Sequence, residues 1–267
     1  MLITDLASAI DPVRFARESL RFEPDPWQKK VLRYTGSRLM MNCSRQSGKS
    51  MTAGLKAYHR AKYYSGSLVL LLSPSLRQSG ELFRKVTELT LNDTNPLRKV
   101  EDSRLFMTLD NGSRIVSLPG KEGTVRGYSG AALIIIDEAS KVPDELYLAI
   151  RPMLAVSGGS LILLSTPFGK RGFFFREWME GGKIWERVRI TADSCPRIAK
   201  EFLEEERRAL PENWFVQEYY CEFVEMEDQA FRYEDIEAAF SHEGKVRPLF
   251  GQDTVSDSVK PLFGEDA

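Results

Sequence analysis

The chain is poor in the residues that build metal and disulfide sites, with three cysteines and two histidines among 267 residues. Cys43, Cys195 and Cys221 are odd in number, far apart and form no C-x-x-C. That counts against a structural zinc site and a disulfide scaffold and fits a reducing compartment. An excess of charge of one sign is also missing: 37 Lys plus Arg face 38 Asp plus Glu. Any attraction to nucleic acid or anionic lipid must therefore come from a local basic face. Long hydrophobic runs are absent too. The longest, such as residues 68–72 and 131–136, fall far short of the ~18 residues a membrane-spanning helix needs, and read as buried strands. With Asp5 and Asp11 close to the start, the N-terminus lacks the basic flank and apolar core of a secretory signal. A cytoplasmic protein without a membrane partner is the expectation. Repeats and low-complexity tracts are missing as well.

What is present is an alternation of short apolar strands and helices. The length suits one large α/β domain, or a medium domain with an appendage, able to bury a core without staples. Residues 1–36 read as a lead-in: an amphipathic helix over 12–20, a break at Glu23-Pro24-Asp25-Pro26, and a second helix over 27–34. From Arg38 the pattern becomes strand (38–42), turn (43–48), helix (49–64), buried strand (68–72), then a helix to about residue 91. Residues 105–109 and 113–118, joined by Asp110-Asn111-Gly112, read as an inserted antiparallel hairpin. Further buried strands follow at 133–136 and 161–164, separated by a helix after Pro143, with a last strand at 185–190. The expected architecture is α/β, a mainly parallel sheet with helices on both faces, over residues 1–190. A small helical subdomain is expected over 191–240 and a loose tail over 241–267.

The strongest chemical signal is Cys43-Ser44-Arg45-Gln46-Ser47-Gly48-Lys49-Ser50, between a strand and a helix. Such a turn aims several backbone N–H groups at one point beside the positive helix end, where phosphates can lie. Lys49 would reach the β- and γ-phosphates of a nucleotide, and the Ser50 hydroxyl would ligate Mg²⁺. The usual leading glycine of this pattern is Cys43 here. The second signal is Leu133-Ile134-Ile135-Ile136-Asp137-Glu138, a buried strand ending in two carboxylates. In a parallel sheet that end is where ligands bind. Asp137 would hold Mg²⁺ through water, and Glu138 would polarise an attacking water as general base. Each segment alone also reads as an ordinary helix start or cap; together they point to nucleotide hydrolysis.

Four aliphatics before the Asp-Glu pair point to the additional-strand, catalytic-glutamate class of P-loop ATPases. A closer resemblance lies in Pro26-Trp27-Gln28, Ser44-Arg45-Gln46-Ser47-Gly48-Lys49-Ser50, Ile136-Asp137-Glu138-Ala139 and Ser165-Thr166-Pro167. Their order and spacing resemble the large terminase subunit of tailed double-stranded DNA bacteriophages, over about residues 20–240. That resemblance implies an ATP- and Mg²⁺-dependent motor that packages viral double-stranded DNA into a procapsid. It further implies a homo-oligomeric ring, portal and small-terminase-subunit partners, and action in the bacterial host cytoplasm. The family often lacks the first loop glycine and carries this Arg-Gln pair.

The resemblance assigns further roles. Gln28 matches the glutamine that reads adenine, with Trp27 as a stacking platform or a core anchor. Ser44, Gln46, Ser47 and Gly48 belong to the phosphate loop. Ser165 and Thr166 match a coupling motif that senses the γ-phosphate and moves the subdomain beyond. Arg126, in a glycine-flanked loop, matches a trans-acting arginine finger, with Arg45 competing for a role in cis. Arg104, Arg114, Lys121, Lys170 and Arg171 are loop cations able to meet DNA phosphates. Residues 241–267 cannot supply the sheet of the nuclease domain the family carries, which implies ATPase activity without cleavage in this chain. A superfamily-2 helicase lobe, and a nucleotide-gated DNA- or portal-binding module with little turnover, are the competing readings.

Overall fold

The computed structural model describes residues 3–225. The expected tail and the end of the expected subdomain lie outside the described residues. Three helices lead in: α1 (Ile3–Ile10), α2 (Pro12–Glu18) and α3 (Pro26–Arg33). Asp11 starts α2, its carboxylate accepting from the Val13 N–H at 3.0 Å, and Pro12 occupies the first turn where no donor is required. Then come β1 (Arg38–Cys43), α4 (Lys49–Tyr63), β2 (Leu68–Ser73) and α5 (Leu76–Asn92). They are followed by β3 (Lys99–Asp102), β4 (Phe106–Leu109), β5 (Arg114–Pro119) and the one-turn α6 (Glu122–Val125). The chain continues through β6 (Leu133–Asp137), α7 (Asp144–Ser157), β7 (Ser160–Ser165), α8 (Gly172–Glu180) and β8 (Glu186–Ile190). α9 (Lys200–Ala209) and α10 (Glu212–Tyr220) close the described part.

One eight-stranded sheet runs β3-β4-β5-β2-β6-β7-β1-β8. All neighbours from β5 to β8 pair in parallel, while β3-β4 and β4-β5 are antiparallel. The core follows from period-two alternation within strands buried on both faces. Leu39, Met41, Val69, Leu71, Ile135 and Leu164 face one cluster, with α2, α4 and α5. Met40, Leu70, Leu72, Ile134, Ile136 and Leu163 face the other, with α7 and α8. A separate small cluster of Ala192, Leu203, Phe215 and Tyr219 gives α9 and α10 an apolar centre of their own.

The hairpin is not an insertion beside the sheet. Its second strand, β5, pairs in parallel with β2, so the hairpin extends the sheet and β3 adds an edge. Lys99-Val100-Glu101-Asp102 escapes a reading by hydrophobicity because all but the first are exposed. More consequential for function, β7 lies between β1 and β6 in the sheet. This is the additional strand expected between the phosphate-loop strand and the carboxylate strand.

Candidate active site

The carboxyl ends of β1, β7 and β6 lie side by side, with Asn42 opposite Ser165 and Leu164 opposite Asp137. All three motifs therefore open on one edge of the sheet. β1 ends at Cys43, and the turn after it is fastened by Ser44 N–H donating to Ile190 O at 2.9 Å and Ser47 Oγ to Ser44 O at 2.9 Å. Gln46 and Gly48 take positive φ, 59° and 92°. Gly48 stands just before α4, and a Cβ there would come within 3.0 Å of both Gln28 Nε2 and Arg197 Nη2. Glycine thus satisfies both the backbone and the close approach. The unpaired N–H groups of the first turn of α4 are left for an anion. Cys43 is fully buried, which pushes its thiol up to about 12 and leaves it inert as a nucleophile.

Asp137 ends β6, and its carboxylate is shared: Oδ2 accepts from Ser50 Oγ at 3.1 Å and Oδ1 from the Glu138 N–H at 2.9 Å. Burial raises the Asp137 pKa, countered in part by Lys49. A buried carboxylate of this kind gains from a cation beside it. Among the described residues no cluster of three His, Cys, Asp or Glu could hold a metal on its own. A hydroxyl plus one carboxylate instead suits an octahedral, oxygen-seeking ion that keeps waters and substrate oxygens. Glu138 turns away with φ 52°, a left-handed conformation uncommon outside glycine. Its carboxylate lies 3.7 Å from Lys49 Nζ.

The end of β7 is tied to the same turn. Ser140 Oγ is 2.7 Å from Ser165 Oγ and donates to Thr166 O at 2.8 Å, while the Ser140 N–H donates to Ser165 Oγ at 3.2 Å. Ser165 and Thr166 are buried. Their contacts reach the turn that carries Glu138.

The cleft above the loop is lined by Arg45, Gln46, Gly48, Lys49, Ser50, Gln78, Lys85, Glu138, Lys141 and Arg197. Gln28 and Trp27 do not line it. Gln28 is 1% exposed, its amide oxygen accepting from the Asp25 N–H at 2.8 Å and its nitrogen donating to Thr52 Oγ1 at 2.9 Å. Reading a base would require it to exchange both bonds. Trp27 packs half-buried against the α4 side of the core. Arg45 projects from the loop and is ion-paired with Glu218 of α10, whose main-chain oxygen also accepts the Arg45 N–H at 3.3 Å. That bond to Glu218 raises the Arg45 pKa. Arg126 follows α6, exposed and away from this lining. Of the expected loop cations, Arg114 lies in a strand, opening β5, and Lys121 follows the far end of that strand, so these two do not share one patch.

Sequence reading missed Gln78, Lys85, Arg197 and Glu218, which reach the site from other segments, and Ser140 and Lys141, which follow directly on Glu138 and Ala139. A serine just after Asp-Glu-Ala was the one visible hint. The others carry no local pattern.

Residues 40–238 match the family described as terminase large subunit, T4-like-virus type, N-terminal. The terminase large subunits of Thermus phage G20c and Thermus virus P23-45 are both 27% identical to the chain over 277 aligned residues, covering 91% of it and 57% of each relative. The chain thus spans a little over half the length of the curated relatives it matches. Among solved structures, the large terminase ATPase domain of Thermus phage P74-26 superposes with a TM-score of 0.67 at 23% identity, over 78% of this chain and 97% of that one. The large terminase of another thermophilic bacteriophage, solved with ADP, has the same fold, with a TM-score of 0.58 at 13% identity over 81% of this chain and 53% of that one. On its sequence match and its additional-strand sheet, the chain belongs to the terminase large-subunit family, in that family's N-terminal part.

Proposed function

We propose that this chain binds and hydrolyses ATP to drive double-stranded viral DNA into a procapsid. The observation that carries the reading is the joining of two motifs 87 residues apart: Ser50 to Asp137, and beside it Lys49 to Glu138. The first turn of α4 would hold the β-phosphate, and Lys49 would bridge to the γ-phosphate. Ser50 and Asp137 would hold Mg²⁺, which when bound supplies positive charge to the phosphate oxygens. Lys49 and Glu138 neutralise each other across 3.7 Å. Phosphate entering the loop competes for Lys49 and releases the Glu138 carboxylate to orient water and take its proton. Arg126, outside the cleft of its own chain, suits delivery to a neighbouring subunit in a homo-oligomeric ring. Arg45 suits a role in cis once it leaves Glu218.

The hydrogen bonds from Ser140 to the Ser165 hydroxyl and the Thr166 carbonyl offer a route from the catalytic turn to the segment that continues into α8. Motion there would be passed to DNA, gripped by few cations per subunit. Gln28 would read adenine after exchanging its two internal bonds, with Trp27 as its packed support. The portal and the small terminase subunit are the expected partners, in the host cytoplasm. No helix of the described residues is long and apolar enough to cross a membrane.

Steady-state ATPase rate measured with and without double-stranded DNA tests the reading. Mg²⁺-dependent turnover that rises with DNA is expected. Turnover indifferent to DNA would remove the packaging role.

A further inference from the structure

Arg197 belongs to no motif, yet it stands against the phosphate loop. After β8 the chain turns through residues 192–194, and Arg197 reaches back to line the cleft with Gln46, Gly48 and Lys49. Its Nη2 donates to Ser47 O at 2.5 Å, and its Nη1 lies 2.7 Å from Asp25 Oδ2. The Asp25 contact is an ion pair without aligned hydrogen bonding, because buried Asp25 Oδ2 has no hydrogen-bond partner among the described residues. Nε and Nη1 of Arg197 likewise make no hydrogen bond there, and the side chain is 47% exposed. A guanidinium with unspent donors, beside a loop built for phosphate, is matched to two oxygens of one phosphate group.

Glu138 follows Asp137 at the end of β6, and the γ-phosphate must lie before it for water to attack. Arg197 stands instead with Asp25 and Gln28, its Nη2 and Gln28 Nε2 both within 3.0 Å of where a Cβ on Gly48 would lie. Resting on the ATPase reading above, we propose that Arg197 is a nucleotide ligand that binds the α-phosphate, releasing Asp25 as it does so. It would thereby make occupancy of the loop felt by the segment leading into α9 and α10.

Displacement of a fluorescent ADP analogue by ATP and by ADP tests this, with Lys49→Ala as the loop control and thermal melts to confirm folding. Arg197→Ala is expected to weaken ATP and ADP equally, by roughly tenfold or more, as befits a charge-assisted bond. Asp25→Asn removes the competing carboxylate and is expected to leave affinity unchanged or tighter. If Arg197 only clamps the fold, Asp25→Asn will weaken binding as Arg197→Ala does, which overturns the proposal. A loss confined to ATP overturns the α-phosphate assignment. Binding by the wild type that Arg197→Ala leaves intact overturns the proposal alone. A wild type that binds neither nucleotide overturns the ATPase reading as well.

Discussion

The hydroxyls of Ser140 and Ser165 lie 2.7 Å apart, joining the turn after Glu138 to the end of the strand between the two main motifs. Glu138 holds a left-handed conformation at the start of that turn, and such a conformation persists only when its surroundings over-determine it. Ser140→Ala removes the hydroxyl contacts to Ser165 and Thr166 at once, leaving only the Ser140 N–H bond to Ser165 Oγ. It should lower kcat by about tenfold or more through misplacement of Glu138, with KM little changed. Ser165→Ala should act on the same link, so the double variant should be no worse than the more damaging single one. Steady-state kinetics on the three variants checks this.

Arg126→Ala should abolish hydrolysis by assembled subunits while nucleotide affinity stays near wild type. Trans-acting arginines are worth about 10³ to 10⁵ in rate. Wild-type rate plotted against protein concentration should rise more than linearly. A monomer hydrolysing at full rate would remove the trans role.

Away from the site, Lys62, Asp93 and Tyr58 form a buried polar knot between α4 and the end of α5. Asp93 Oδ2 accepts from Lys62 Nζ at 2.5 Å and from Tyr58 OH at 2.6 Å. Lys62→Met leaves a buried, unpaired carboxylate and should cost about 3–5 kcal/mol. Tyr58→Phe, which removes one hydrogen bond, should cost about 1–2 kcal/mol. Denaturant melts should rank the two in that order.

Burial lowers the His59 pKa from 6.5 to about 4, with the Ser8 carbonyl bond opposing the shift. The folded state keeps the ring neutral while the unfolded chain binds a proton below about pH 6.5, so this contribution to stability is present above that pH. It is lost as pH falls toward 4. His59→Gln should flatten that part of the stability–pH curve, as read by urea midpoints between pH 7 and 4.

Much of the site was legible because its chemistry is contiguous in sequence. Residues 43–50 and 133–138 carry both a strand-end pattern and the reactive side chains, and the parallel sheet then has little freedom in where to put them. What stayed hidden is set by contacts across the chain. Nothing near Arg197 or Glu218 signals that each reaches the phosphate loop, separated from it by about 150 and 173 residues. Gln28 is named by the resemblance, but its burial is not legible in the sequence, because the Asp25 and Thr52 bonds that hold it depend on how α3 packs on α4. Similarly, β5 was read as half of a hairpin; its parallel partner β2 is fixed by sheet order, which local alternation does not encode.

Hydrolysis by the wild-type chain and by Glu138→Gln, with nucleotide affinity measured on both, tests the central claim most directly. Loss of a general base should cut turnover about a hundredfold or more while binding is retained. Equal turnover by the two proteins, or a wild type that binds ATP without hydrolysing it, would contradict the assignment of Glu138 and of the reaction.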